Sequence, residues 1–185
     1  MKQFFVALIM MCTSGHFTGN GSLPGLGTGE KDMLAGVRPD HILEACGGEI
    51  HGKDLGEWGG EVTFREQNGH EYQLIDDNSR GIFDMPYGVI AITGLAHLGE
   101  NHGSVYVIRR GNSINRVTAT KTLTLPGWPC ETIASKNEIM LRVFRGYGPA
   151  SDRPSSPLYT CYALESPNRI QPTACPAVVP EGCFQ

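Results

Sequence analysis

The densest group of side chains able to do chemistry lies between residues 94 and 103, which read Gly-Leu-Ala-His-Leu-Gly-Glu-Asn-His-Gly. His97, Glu100 and His102 combine imidazole and carboxylate groups, which are ligand types that zinc prefers. A metal held there could activate water, so a metal-dependent hydrolase is one allowed function. The spacing is not that of His-Glu-x-x-His, where a helix places both histidines on one face, and the flanking glycines favour a loop. The preferred interpretation is therefore a polar turn without metal or other cofactor.

The same segment is also a candidate binding loop. About ten residues exceed the usual hairpin connection of about 2 to 5, and long loops on a rigid sheet are where binding residues concentrate. Trp128 follows Pro-Gly in a turn and could contact a partner, as could Trp58 between two glycines, although either ring could equally cover the core. The candidate partner-binding residues are His97, Glu100, Asn101, His102, Ser104 and Trp128.

A thiol nucleophile at Cys46 is a second catalytic hypothesis, because His41 and His51 are close in sequence. Such chemistry needs a depressed thiol pKa and a group that orients the histidine, and sequence proximity supplies neither. The chain also has no Gly-x-Ser-x-Gly elbow and no phosphate-binding Gly-x-x-x-x-Gly-Lys-Ser/Thr motif. We therefore assign no catalytic residue and do not favour an enzyme.

The cysteines indicate an oxidising compartment, since none of them has the Cys-x-x-Cys spacing of zinc or redox sites. Cys175 and Cys183 enclose a short Pro-rich loop and are the preferred disulfide. Cys130 could pair with Cys161, which would leave Cys46 without a partner. A bond between Cys46 and Cys130 is equally allowed by the sequence.

The N-terminal segment has the features of an export signal. Lys2 precedes a short apolar run that is too short to cross a membrane, so residues 1–15 are interpreted as a signal and not as an anchor. Membrane attachment would require lipidation of Cys12. Residues 16–36 are Gly-rich and predict a tether, and residues 37–185 predict one β domain with a Pro-rich, Cys-containing tail. The expected location is periplasmic or secreted.

The fold class follows from a β-unit that recurs three times along the sequence. Two strands and a turn recur, and Tyr72, Tyr106 and Tyr159 hold matching places in the second strand. The pattern predicts an all-β fold of antiparallel hairpin or meander repeats, either an incomplete β-propeller-like stack or a sandwich. Generic hairpins could produce the same pattern. One short helix is expected from His41 to Ala45, capped by Asp40.

Length and charge limit the number of domains and the classes of partner that the sequence predicts. The 185 residues, 40% of them hydrophobic, are enough for one domain with a core. A net charge of −4 and a pI near 5.8 provide no basic field for a phosphate backbone, so nucleic acid is excluded as a partner. Open strand edges could pair two copies of the chain, so a homodimer is allowed.

An exported, small, slightly acidic all-β chain with propeller-like hairpins and no catalytic motif resembles the periplasmic immunity proteins that protect bacteria against type VI secretion peptidoglycan amidases. The resemblance covers architecture over roughly residues 58–165, and no individual residue is carried over. It implies a non-enzymatic inhibitor in which a loop of the β scaffold plugs the amidase active site. A metal-dependent hydrolase and a structural protein of the cell envelope are the alternatives.

Overall fold

Twelve β-strands form three four-stranded antiparallel sheets in the described residues, which are 40–111, 116–147, 157–177 and Cys183. The structure is a computed structural model, and the expected export signal and tether lie outside the described residues. Each sheet is a meander, because its strands are neighbours in chain order. Sheet 1 contains β1 (His41–Ala45), β2 (Gly48–Asp54), β3 (Gly60–Glu66) and β4 (Glu71–Ile75). Sheet 2 contains β5 (Ser79–Met85), β6 (Gly88–His97), β7 (Glu100–Arg110) and β8 (Val117–Leu125). Sheet 3 contains β9 (Trp128–Ala134), β10 (Ile139–Tyr147), β11 (Pro157–Ser166) and β12 (Arg169–Thr173).

The all-β prediction is confirmed, but the predicted N-terminal helix is wrong. Residues His41–Ala45 are β1, which pairs antiparallel with β2. Cys46 and Gly47 connect the two strands with φ of 55° and 76°, the positive values that a tight hairpin turn requires at both central residues. The Asp40 carboxylate accepts a hydrogen bond from Asp54 N at 2.6 Å instead of capping a helix. A short helical element, a 3-10 turn, lies instead between β2 and β3, at Gly56–Trp58.

The three-fold repeat is real at the level of whole sheets, while the units predicted from the tyrosines are out of phase. Tyr106 and Tyr159 lie on the third strands of sheets 2 and 3, but Tyr72 lies on the fourth strand of sheet 1. The equivalent of the β6–β7 and β10–β11 hairpins is therefore the β2–β3 hairpin. This difference in phase contributes to the unequal spacing of the tyrosines, which are 34 and 53 residues apart.

Sheet 2 is the middle layer and supplies the core on both of its faces. Strand β6 is buried from Gly88 to Gly94, and successive residues of a strand point to opposite faces. Val89 and Ala91 pack with the apolar residues of sheet 1, whereas Ile90 and Ile92 pack with those of sheet 3. A continuous apolar run is the expected sequence of a strand covered on both sides.

Sheet 1 presents a polar outer face, which completes one side of the stack. Residues that alternate with the buried ones form pairs there, with Lys53 Nζ 2.8 Å from Glu61 Oε1 and His51 Nε2 2.9 Å from Glu49 Oε2. Thr63 Oγ1 donates to the Glu71 carboxylate at 2.6 Å. The described sheets form no closed barrel or propeller.

Two described disulfides fix the C-terminal part of the chain, with pairings that differ from the predicted ones. Cys130 is bonded to Cys183, and Cys161 is bonded to Cys175. The predicted bond from Cys130 to Cys161 is wrong because β10 lies between β9 and β11, and two strand spacings of about 4.8 Å exceed the reach of a disulfide. The predicted bond from Cys175 to Cys183 is wrong because the β11–β12 hairpin returns Cys175 to the side of Cys161.

Cys46 is itself disulfide-bonded, so the hypothesis of a free thiol nucleophile is wrong. Bonds of this kind form and persist in oxidising compartments. The disulfides therefore indicate an oxidising, extracytoplasmic location. Among the described residues, no helix has the length and hydropathy needed to span a membrane.

Candidate functional site

Four described chain connections and the facing ends of β10 and β11 lie at the same end of the sheet stack. In a meander every second connection returns to the same end, so the β2–β3 and β6–β7 turns meet the connections between the sheets, β4–β5 and β8–β9. We call this end the hairpin face. Its described connections are residues 55–59, 76–78, 98–99 and 126–127, together with the adjoining ends of β10 and β11.

Two amide side chains, Asn78 and Asn101, hold these connections together. Asn78, which is buried, accepts a hydrogen bond from Leu55 N at 3.0 Å and donates to Gly56 O at 2.8 Å. Asn101 accepts from Trp128 N at 2.7 Å and donates to Phe144 O at 3.2 Å. The backbone of the hairpin face is therefore fixed by bonds between sheets, which leaves it preorganised for binding.

The predicted ten-residue loop at 94–103 is wrong, because both of its halves are strand. β6 continues to His97 and β7 begins at Glu100, so only Leu98 and Gly99 form the turn. Gly94 and Gly103 serve close packing instead of loop flexibility. A Cβ at Gly94 would lie 2.4 Å from His102 O, and one at Gly103 would lie 2.6 Å from Gly127 O.

The turn of this hairpin is an exposed apolar tip. Leu98 is 96% exposed and has a φ of 51°, a conformation that a non-glycine residue adopts at a cost. Trp58 is 83% exposed on the neighbouring β2–β3 connection. The two connections are joined by an ion pair, with His97 Nε2 2.8 Å from Glu57 Oε2.

A groove of about 590 Å³ separates the tip from the ends of β10 and β11. Trp128 is only 5% exposed and contributes to its wall, and the Arg80 guanidinium lies 4.9 Å from the centre of the Trp128 ring. The groove is lined by Ala96, His97, Leu98, Glu100, Trp128, Phe144, Tyr147, Pro157, Tyr159 and Cys183.

Three packed rings form the aromatic side of this groove. The Phe144 ring lies 5.3 Å from the Tyr147 ring and 5.8 Å from the Tyr159 ring, measured between centres. The Tyr159 hydroxyl donates to Cys183 O at 2.5 Å, and the Cys130–Cys183 disulfide holds Cys183 beside the rings. Burial raises the pKa of Tyr159, and the neighbouring Tyr147 adds to this effect, which keeps the phenol neutral.

The hairpin face carries an excess of carboxylates. Glu57, Asp76 and Asp77 lie in its connections, Glu100 begins β7, and the described connections contain no lysine or arginine. His102 Nε2 lies 3.3 Å from Asp77 Oδ1. The surface around the groove is therefore acidic as well as apolar.

The structure brings most of the predicted partner-binding residues together at the groove and buries another. His97, Glu100 and Trp128 line the groove, Asn101 supports it from behind, and His102 lies beside it. Ser104 is only 3% exposed, so it is not available to a partner. Sequence reasoning missed Leu98, Phe144, Tyr147 and Tyr159. Leu98 had a signal, because an apolar residue between His97 and Gly99 has no strand neighbour to cover it.

The alternative metal site is not formed. His97 and His102 are each paired with a different carboxylate, Glu57 and Asp77. No group of three or more histidine, cysteine or acidic residues is arranged to hold a metal ion in the described part of the chain. What this face offers chemically is apolar contact, hydrogen bonding and negative charge.

No protein-family model, curated protein or solved structure matches this chain. The chemistry of the hairpin face is therefore the basis for inferring function. Exposed aromatic and aliphatic side chains next to a groove are characteristic of surfaces that bind another molecule.

Proposed function

We propose that this protein is a non-enzymatic, extracytoplasmic inhibitor that covers the active-site cleft of a cell-wall hydrolase. In this proposal it acts as an immunity protein against a peptidoglycan amidase. The observation that carries the proposal is the exposure of Leu98 and Tyr147 on the groove, 96% and 60%, and of Trp58 on the adjacent β2–β3 connection, 83%. Large apolar side chains grouped on a polar surface mark interaction sites, and tryptophan and tyrosine are frequent hot-spot residues.

The shape of the β6–β7 hairpin supports inhibition by occlusion. Its two-residue turn projects Leu98, which makes a narrow tip that a cleft can receive. The tip is rigid, because Asn101 and the pair of His97 with Glu57 tie the hairpin to sheets 3 and 1. A rigid tip loses little conformational entropy on binding.

The proposal predicts a stable stoichiometric complex that buries about 1,200–2,000 Å². The protein is immobilised and exposed to a lysate of its own source, and the retained proteins are identified by mass spectrometry. The captured hydrolase is then assayed on purified peptidoglycan with increasing amounts of the protein. We expect one hydrolase in a one-to-one ratio, with its activity lost at equivalence.

The decisive variant is Leu98→Asp. Losing the burial of a leucine side chain costs about 1.5–3 kcal/mol, so the Kd should rise by about 10- to 150-fold. The matched control is Ile133→Asp, because Ile133 is 48% exposed on β9 toward the opposite end of the stack. Equal affinities of the two variants, or the absence of any captured hydrolase, would contradict the proposal.

A further inference from the structure

The groove beside the hairpin tip combines aromatic rings with a carboxylate. Phe144, Tyr147 and Tyr159 form a packed group of rings, and Glu100 lies on the same groove. The faces of such rings attract cations through their quadrupole, and a nearby carboxylate adds to that attraction. The combination favours a cationic group over a neutral one of equal size.

The Glu100 carboxylate is available for this purpose. It is exposed, and it makes no hydrogen bond or ion pair with any other described residue. The Glu57 carboxylate, by contrast, is already paired with His97. Glu100 is therefore the groove carboxylate that can pair with an incoming cation.

The neighbouring cations of the protein are directed elsewhere. Arg80 lies against Trp128 and pairs with Asp54, and Arg145 Nη1 donates to the Tyr162 hydroxyl at 3.0 Å. No described lysine or arginine lies over the rings of Phe144, Tyr147 or Tyr159. Arg142, whose charge acts on Tyr159, is buried and paired with Glu131. Within the described residues, the cation–ring contact at this end is therefore on Trp128, and no cation covers the three groove rings.

We propose that the groove receives a lysine or arginine side chain of the protein partner. The aliphatic part of that side chain lies against the Phe144, Tyr147 and Tyr159 rings, and its charged head reaches the Glu100 carboxylate. This inference rests on the proposed function, since it specifies the chemistry of the partner surface that meets the hairpin face. Asp76, an exposed carboxylate in the β4–β5 connection of the hairpin face, is complementary to a further basic group on that surface.

The groove can be tested without the partner, using Nα-acetyl-lysine amide as the probe and Nα-acetyl-norleucine amide as its neutral match. Each is titrated into the full, disulfide-bonded protein while the amide signals of residues 96–100 and the Trp128 indole signal are followed by NMR. We expect saturable shifts with a Kd in the millimolar range for the lysine probe. The norleucine probe should bind about three- to tenfold more weakly.

Two variants and one control assign the effect to the groove. Glu100→Gln and Tyr147→Leu should each weaken the lysine probe about three- to tenfold and leave thermal unfolding unchanged, because both residues are exposed. Glu138→Gln is the matched control, since Glu138 is an exposed carboxylate in the β9–β10 turn at the opposite end. Equal binding of the two probes, or loss of lysine binding in Glu138→Gln alone, would overturn the inference.

The outcomes also separate this inference from the proposed function. Selective binding of the lysine probe without capture of a hydrolase would support the cation groove, and only the proposed inhibitor function would fail. A captured and inhibited hydrolase whose affinity is unaffected by Glu100→Gln and Tyr147→Leu would overturn the cation groove and leave the inhibitor function standing.

Discussion

Removing the Cys130–Cys183 disulfide should destabilise the protein more than removing the Cys161–Cys175 disulfide. The first bond joins residues 53 positions apart, and the second joins residues 14 positions apart. In the chain-entropy model, closing these loops in the unfolded chain is worth about 4 and about 3 kcal/mol at 25 °C. The expected difference in the free energy of unfolding is therefore about 1 kcal/mol.

The native contacts act in the same direction as the loop lengths. Cys130 and Cys183 are both buried and pack with Trp128, and the Tyr159 hydroxyl donates to Cys183 O. Cys175, in contrast, is exposed. Releasing the C-terminal segment would also free one side of the groove, so the longer bond has a functional as well as a thermodynamic effect.

The assay compares Cys130→Ala/Cys183→Ala with Cys161→Ala/Cys175→Ala by guanidinium unfolding of each oxidised protein. Both double variants should show a lower midpoint, and the m-value should rise because the unfolded chain becomes less constrained. The variant lacking the Cys130–Cys183 bond should have the lower stability and the weaker lysine-probe binding. A larger loss of stability in Cys161→Ala/Cys175→Ala would refute the reasoning from loop length and burial.

Two further predictions concern pH and packing. Burial lowers the pKa of His41, an effect opposed by Asp40 and Asp54 and supported by Arg80. Its stabilising contribution is therefore complete above the unfolded pKa of 6.5 and declines as the pH falls toward the lowered pKa of the folded state. Between pH 8 and pH 5, the free energy of unfolding should therefore decrease less in His41→Gln than in the unsubstituted protein. Parallel curves for the two proteins would contradict this. Gly94→Ala should lower the free energy of unfolding by at least about 2 kcal/mol, because the φ of Gly94 is 156° and the new Cβ would meet His102 O. A Cβ at Gly99 would meet nothing within 4 Å, so Gly99→Ala should change stability by less than about 0.5 kcal/mol. Similar melting temperatures for the two variants would contradict the packing argument.

The sequence was sufficient for the fold class, because that signal is local. Alternating apolar residues and turn residues are enough to predict antiparallel strands, and β6 and β7 were both recognised in part. The β1 strand was missed because His41–Ala45 has no strong preference of its own. Its state is decided by pairing with β2, which is a contact between segments.

The disulfide pairings could not be predicted, because they depend on the order of strands across sheet 3. The sequence positions of Cys130 and Cys161 allow a bond between them, yet β10 separates them in the sheet.

The roles of Gly94 and Gly103 were misinterpreted for a related reason. Their small size serves contacts with Pro129 and Gly127 from a neighbouring sheet, and a single sequence cannot distinguish that use from a flexible loop.

The position of the candidate site could be predicted only in part, and the reason is geometric. A meander returns every second connection to one end, so residues of three separate sheets meet there although they are far apart in sequence. His97, Glu100 and Trp128 were selected for their chemistry, and they lie on one groove. Tyr147 was not selected, because its exposure is decided by the neighbouring sheets, and the signal at Leu98 was overlooked because residues 94–103 were interpreted as one loop. The hairpin face therefore depends on how the three sheets stack. Substitutions that remove the side-chain hydrogen bonds of Asn78 or Asn101 should alter the groove, although neither residue lines it.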